Sequence, residues 1–220
     1  MIPPKQNGSF VAQMELVLDV YKRPFDPKHP VICMDESPKQ LIGESKRPIP
    51  ASPGQLARYD YEYRRLGMCN VFLACEPLAG KRIVEITERK TGKDWAIFLE
   101  EIARQYENAD KITLVMDNLR THKPGSFYEI FPPEKARSLW ERFEFVYTPK
   151  HGSWLNMAEI ELNVLTGQCL KRRMDNIDFV RKEVKKWKEI RDMKGAKVNW
   201  QFTTENARIK LSRLYPTLED

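Results

Sequence analysis

Three acidic residues carry the chemistry most open to this chain. Asp35 closes the apolar run Val31-Ile-Cys-Met-Asp35, Asp117 closes Leu114-Val-Met-Asp117, and Glu159 follows Leu155-Asn156-Met-Ala. The two runs read as buried strands. If they are parallel neighbours, both aspartates leave the sheet at its carboxyl edge, where open sheets usually build their sites. Glu159, in the first turn of a later helix, would complete a cluster of three carboxylates. Such a set suits Mg²⁺, with Mn²⁺ as a substitute, because a hard cation takes oxygen ligands and retains waters. It could hold two ions roughly 3.5–4 Å apart, one activating an attacking oxygen and one stabilising the leaving oxygen at a phosphodiester.

Each acid also has a local reading. Asp35-Glu-Ser-Pro is good turn chemistry, Asp117-Asn118 could be an Asx turn closing a strand, and Asn156-Met-Ala-Glu159 has the spacing of a capping box. Glu36 and Glu161 compete with Asp35 and Glu159 from close by.

The remaining chemistries find little support. His29, His122 and His151 lie far apart, and Cys33, Cys69, Cys75 and Cys169 form no CxxC pair. A zinc site is not expected, and the cysteines read as reduced, mostly buried thiols. There is no Ser/His/Asp signature, P-loop or GxGxxG, so no protein nucleophile or nucleotide cradle is foreseen.

The elements that would position these acids follow from periodicity. Phe10 to Tyr21 has helical spacing, and Val31 to Asp35 is a short strand. The proline-rich segment from Ser37 to Gln55 reads as a loop, because so many prolines cannot supply ladder donors. Tyr59 to Tyr63, Val71 to Cys75 and Arg82 to Thr87 suggest an antiparallel meander. Thr91-Gly-Lys-Asp94 resembles a capping box, ahead of Trp95, Phe98, Leu99 and Ile102 on one helical face. A strand over Lys111 to Met116, a helix over Pro133 to Arg142 and a strand over Phe143 to Tyr147 come next. Helices are then expected near Asn156 to Leu170, Phe179 to Met193 and Glu205 to Leu214. This is the order of an α/β, RNase-H-like mixed five-stranded sheet flanked by helices. The chain divides into a lead-in helix over 1–30, a core over 31–170 and basic helices over 171–220.

At 220 residues, with 41% hydrophobic and 31% charged, the composition is that of a globular chain and excludes a disordered one, a collagen or a disulfide scaffold. No apolar run approaches the ~20 residues of a membrane span. Met1-Ile-Pro-Pro-Lys-Gln-Asn-Gly has no apolar signal core, so a cytoplasmic protein is expected. The net charge is +6, and the stretch from Leu170 to Trp200 holds eleven Lys and Arg against five acids, which accounts for all of it. Lys171, Arg172, Arg173, Lys182, Lys185 and Lys186 are candidate contacts to DNA phosphates; the alternative is a solvated face on an ordinary amphipathic helix. Trp154 could stack on a base or simply pack.

Taken together, Val31-Ile-Cys-Met-Asp35-Glu36, Leu114-Val-Met-Asp117-Asn118 with His122 five positions after the aspartate, and Leu155-Asn156-Met-Ala-Glu159 resemble the catalytic domain of mariner-superfamily DDE transposases, in their bacterial insertion-sequence branch. The resemblance covers essentially the whole chain. It implies the retroviral-integrase-like form of the RNase-H-like fold, with Asp35, Asp117 and Glu159 as a metal-binding triad holding two Mg²⁺ ions. It also implies hydrolysis at the ends of a mobile element, then strand transfer of the 3′-hydroxyl into target DNA. Asn118, His122, Trp154 and Asn156 would support the site. The implied partners are double-stranded DNA, as element ends and target, and a second copy reached through the proline-rich segment. The implied setting is the bacterial cytoplasm. The third motif departs from the Pro-Glu-Leu-Asn-Pro-Ile-Glu run of many relatives, keeping Leu-Asn and the final Glu. Relatives usually carry helix-turn-helix modules ahead of this domain, so end recognition is expected from such a region or a separate chain. A nuclease of the same fold that only hydrolyses, and a noncatalytic DNA-binding remnant, are the alternatives.

Overall fold

The computed structural model describes residues 6–119 and 122–217; the leader reading of residues 1–5 lies outside them. Helix α1 (Gly8–Tyr21) is capped by Asn7, whose Oδ1 accepts from Phe10 N. Strands β1 (Val31–Glu44), β2 (Tyr63–Glu76) and β3 (Lys81–Thr87) are antiparallel neighbours. Helix α2 (Gly92–Gln105) starts on the expected capping box, with Thr91 and Asp94 bonding each other's backbone. Strand β4 (Ile112–Met116), helices α3 (Gly125–Tyr128) and α4 (Pro133–Arg142) and strand β5 (Phe143–Tyr147) follow. A 3₁₀ turn (Ser153–Leu155) leads into α5 (Met157–Leu165), which passes into a π turn (Thr166–Leu170). Helices α6 (Ile177–Met193) and α7 (Thr204–Lys210) and a last 3₁₀ turn (Ser212–Leu214) close the described chain. No helix among the described residues is long and apolar enough to cross a membrane.

The sheet order is β3-β2-β1-β4-β5, with β4 parallel to both β1 and β5. Strand side chains alternate between two faces, and the sheet carries a core on each. On one face Cys33, Val71, Leu73, Val115 and Val146 pack with Met14, Val17, Leu162, Leu165 and Val184 from α1, α5 and α6. On the other, Ile32, Met34, Phe72, Leu114 and Met116 meet Trp95, Phe98, Leu99 and Ile102 of α2 and Phe127 of α3. All four cysteines are free and buried.

Three expectations change. Residues 37–44 are strand: β1 continues to Glu44, and Pro38 lies opposite Asn70. Strand β4 pairs with β1 only over Val31–Cys33, so beyond Cys33 the other side of β1 is an edge, where a missing N–H is tolerated. The register shifts between Gln40 and Ile42, and Ile42 N donates instead to Met174 O at 2.7 Å. Tyr59 to Glu62 are irregular rather than strand, because β2 begins at Tyr63 and extends without a break through Val71 to Glu76. The continuous helix expected to Leu170 ends as α at Leu165.

Candidate active site

Alternation along β1 separates two adjacent acids. Cys33 faces α5, so Asp35 does as well, whereas Met34 and Glu36 face α2. In the parallel ladder Cys33 lies opposite Val115, which puts Asp35 and Asp117 each two residues past the last pair, on neighbouring strands and the same face. Glu159 stands in the first turn of α5. Burial first, then the charges of Asp117, Glu36 and Glu159, push the Asp35 carboxyl up to about 7, although it accepts from Glu36 N at 2.8 Å. Asp117 and Glu159, the other acids of the expected triad, are therefore close enough to act on Asp35 in a partly desolvated place.

Asn156 joins the two elements that carry Asp35 and Glu159. Its Oδ1 accepts from Ala158 N at 3.1 Å, capping α5, while its Nδ2 donates to Met34 O at 2.8 Å on β1. The side chain is buried, and Tyr21 Oη braces the same turn by donating to Leu155 O at 2.7 Å. Replacing Asn156 with Ala removes a cap, worth about 1 kcal/mol, and strands a buried carbonyl, at about 1–3 kcal/mol. A loss of about 2–4 kcal/mol in urea unfolding is expected, with parent-like unfolding refuting the tie.

Glu161, the competitor of Glu159, is committed elsewhere. It is fully buried, and its oxygens take paired bonds from Arg82 at 3.0 and 3.1 Å and from Arg191 at 2.8 and 2.8 Å. Burial works to raise its carboxyl, but the two guanidinium groups outweigh that and hold it below the ordinary glutamate value.

His122 is buried behind Asp117, stacked on Trp95 with ring centroids 5.4 Å apart. Its Nδ1 lies 3.0 Å from Asp117 Oδ1 and its Nε2 3.4 Å from Glu36 Oε2, while Lys90 Nζ lies 3.0 Å from Glu36 Oε1. Burial disfavours the imidazolium, yet the two carboxylates prevail and push His122 up to about 9. Glu36 is likewise held low by His122 and Lys90 against the effect of its burial. Glu36, Asp117 and His122 bring ligand atoms within 4.8 Å of one another, but the two ring nitrogens face different carboxylates. The imidazole thus bridges the two acids, one ring nitrogen toward each. The cation-neutralised Glu36 is separated from the uncompensated Asp35.

The donor set facing α5 is oxygen only, Asp35 is raised by burial and then by the acids around it, and Asp117 Oδ1, for all its closeness to His122, has no aligned hydrogen bond. A divalent cation fits that deficit.

Of the other expected site residues, Asn118 Oδ1 accepts from Lys123 Nζ at 3.1 Å. Trp154 is 41% exposed and meets Phe202 edge-on, with centroids 6.1 Å apart. Arg173 is drawn inward to Glu44 and the carbonyls of Asp60, Tyr61 and Glu62, where it secures the β1–β2 connection. Arg172 and Lys186 both pair with Glu183. Lys171, Lys182 and Lys185 are exposed with no ion pair among the described residues. Sequence reading missed the Glu36–His122–Asp117 bridge and the Arg82–Glu161–Arg191 clamp. The signal for the first was the adjacent acids of a strand, which must face opposite ways.

A family model described as DDE superfamily endonuclease matches residues 30–181. Among solved structures, the Mos1 mariner paired-end complex with Mn matches at a TM-score of 0.62 and 15% identity, over 100% of this chain and 66% of that one. The Mos1 strand transfer complex gives 0.62 and 15%, over 100% and 65%. The Mos1 paired-end complex with Mg gives 0.57 and 16%, over 97% and 63%. The chain thus spans less than two thirds of the length of those chains. At such identities the likeness is one of fold, and it shows the RNase-H-like mixed sheet expected from the order of elements. No curated protein sequence matches the chain.

Proposed function

Because this chain belongs to the DDE superfamily of endonucleases, we propose that it is the catalytic domain of a DNA transposase in the bacterial insertion-sequence branch of the mariner superfamily. The reaction is hydrolysis of phosphodiesters at element ends followed by transfer of the 3′-hydroxyl into target DNA. The single observation that carries this reading is the pairing of Asp35 and Asp117 on one face of adjacent parallel strands, with Glu159 charging the same place. It is further supported by the Mn- and Mg-containing Mos1 complexes.

Asp35, Asp117 and Glu159 hold two divalent ions, Mg²⁺ or Mn²⁺, which when bound supply activation of the attacking oxygen and stabilisation of the leaving one. The chain's own residues fix the ligands. His122 holds Asp117 against the α2 layer, and Asn156 keeps the Glu159 helix beside β1. With Asp35 poised near neutrality, its carboxylate is fully available only above about pH 7 or once cations are bound. Residues 31–170 form the catalytic core, and 171–220 pack on it with Lys171, Lys182 and Lys185 toward DNA. Pairing of two copies is supported by Leu56 and Tyr61, 89% and 86% exposed on the β1–β2 connection. The bacterial cytoplasm is the matching compartment.

The test supplies a labelled DNA end with a 3′-hydroxyl, a plasmid target and Mg²⁺. Joined product is expected. Cleavage without joining would reduce the reading to a hydrolytic nuclease, and crystals soaked in Mn²⁺ without metal at Asp35 and Asp117 would make the chain a noncatalytic remnant.

A further inference from the structure

Beside Asp117, which forms part of its wall, a cleft of about 540 Å³ opens between α1, the end of β4 and the β5–α5 loop, lined also by Gln13, Asn118, Thr148, Lys150 and His151. That is within the range of about 300–1,000 Å³ of pockets that seat small ligands. Its outer wall is a built turn. Gly152 N donates to Pro149 O at 2.8 Å, and a Cβ on Gly152 would come within 2.6 Å of Pro149 Cγ, so the loop closes only with glycine there. Thr148 N donates to Met116 O at 2.9 Å, bracing the turn against the strand that ends at Asp117.

Two features of this turn exceed what closure needs. His151 has φ 65°, the one positive value at a non-glycine among the described residues. Glycine would adopt that backbone without strain, so the geometry alone does not ask for an imidazole. Moreover, the exposed side chains of Lys150 and His151 have no ion pair or hydrogen bond among the described residues. Farther along, Arg172, Arg173, Arg181, Lys186, Lys188 and Arg191 each face a carboxylate, while Lys171, Lys182 and Lys185, also unpaired among the described residues, stand on other elements, away from this turn. Donors left uncompensated on this turn, beside an acidic centre, are free to take an anionic partner.

We propose that this cleft seats the sugar-phosphate backbone of the DNA strand next to the scissile bond, with Lys150 and His151 contacting its phosphate. The assignment rests on the endonuclease reading and gives that site a substrate-positioning wall. An anionic strand laid across Asp117 is repelled by the triad, and Lys150 offsets the repulsion where the strand enters, with His151 offering a ring N–H to the phosphate. Phosphate contacts of this kind position DNA without reading its sequence.

The experiment compares the parent chain with Lys150→Ala and His151→Gly. Fluorescence anisotropy with a labelled oligonucleotide duplex gives Kd over a salt series, and Mg²⁺-dependent cleavage gives KM and kcat. At about 100 mM salt, Lys150→Ala is expected to weaken binding about tenfold and to lower the salt slope by about 1. KM rises in step while kcat changes little. His151→Gly keeps the turn, so it melts no lower than the parent and still binds several-fold more weakly. Parent-like Kd, slope and KM in both variants would overturn the cleft while leaving the endonuclease reading intact. A parent chain that binds DNA without cleaving it would overturn that reading, and the Kd values would still decide the cleft.

Discussion

Replacing Asp117 or Asp35 with Asn is expected to lower metal-dependent DNA cleavage at least about a thousandfold, which corresponds to about 4 kcal/mol of barrier. The amide keeps the shape and removes the charge, so the loss falls on cation binding and not on packing. Full activity in either variant would refute the triad. Thermal melting supplies a second readout with opposite sign. The Asp35 carboxyl titrates near 7 in the fold, above its ordinary 3.8. The folded protein therefore binds the proton more tightly than the unfolded chain does, and stability falls as pH rises from about 4 through about 7. Asp35→Asn removes this penalty, so without metal the variant melts above the parent at pH 8, and the advantage disappears near pH 4. Adding Mg²⁺ at pH 8 raises the melting temperature of the parent but not of the variant, because only a folded state that binds the ion gains from it. A variant that melts at or below the parent at pH 8 would show that Asp35 is not strained by its neighbours.

The second large effect concerns Glu161. Removing one partner from a buried ion pair leaves uncompensated charge and costs about 3–5 kcal/mol; Glu161→Ala takes the shared carboxylate from Arg82 and Arg191, leaving Arg82, among the described residues, only Asp192 at 3.7 Å and the carbonyls of Gly80 and Ala196. Since a domain is stable by only about 5–15 kcal/mol in total, urea unfolding of this variant shifts to much lower concentration. Glu159→Gln behaves oppositely, with unfolding close to the parent and cleavage lost. If Glu161→Gln abolished cleavage at unchanged stability, the two glutamates would exchange roles. Replacing Arg82, Glu161 and Arg191 together by apolar residues of similar volume restores most of the stability, because burying three charged groups is itself costly.

How much of this was legible in the sequence depended on the range of the interaction. The α2 helix was readable because Thr91 and Asp94 cap it locally and Trp95, Phe98, Leu99 and Ile102 repeat at its period. Strand β5 and helix α4 have the limits that their patterning predicts. The extension of β1 through Pro38 was not readable, since it depends on pairing with β2 and on an edge that only the assembled sheet defines. The motif match favoured Glu159 over Glu161, but the clamp that commits Glu161 elsewhere was closed to sequence reading, because Arg82 lies 79 positions from it. The surplus of positive charge after Leu170 was visible, but not that Arg172, Arg173 and Lys186 are neutralised by Glu183 and Glu44. Lys150 and His151 attracted no attention as letters in a loop; their lack of partners is a property of the fold.

The opposite facing of Asp35 and Glu36 makes the identity of the acid presented to α5 a matter of parity. A slip of β1 by one residue would present Glu36 in place of Asp35 and expose the metal face to a side chain one methylene longer. Counting from Val31, four residues fix this parity, and the neighbouring β2 and β4 ladders hold it from both sides. The irregularity between Gln40 and Ile42 takes up a frame shift of the hairpin beyond the site. Length and chemistry are decoupled at that point: a change of length in the connection beyond Ser45 leaves the facing of Asp35 untouched, while an insertion or deletion between Val31 and Asp35 reverses it.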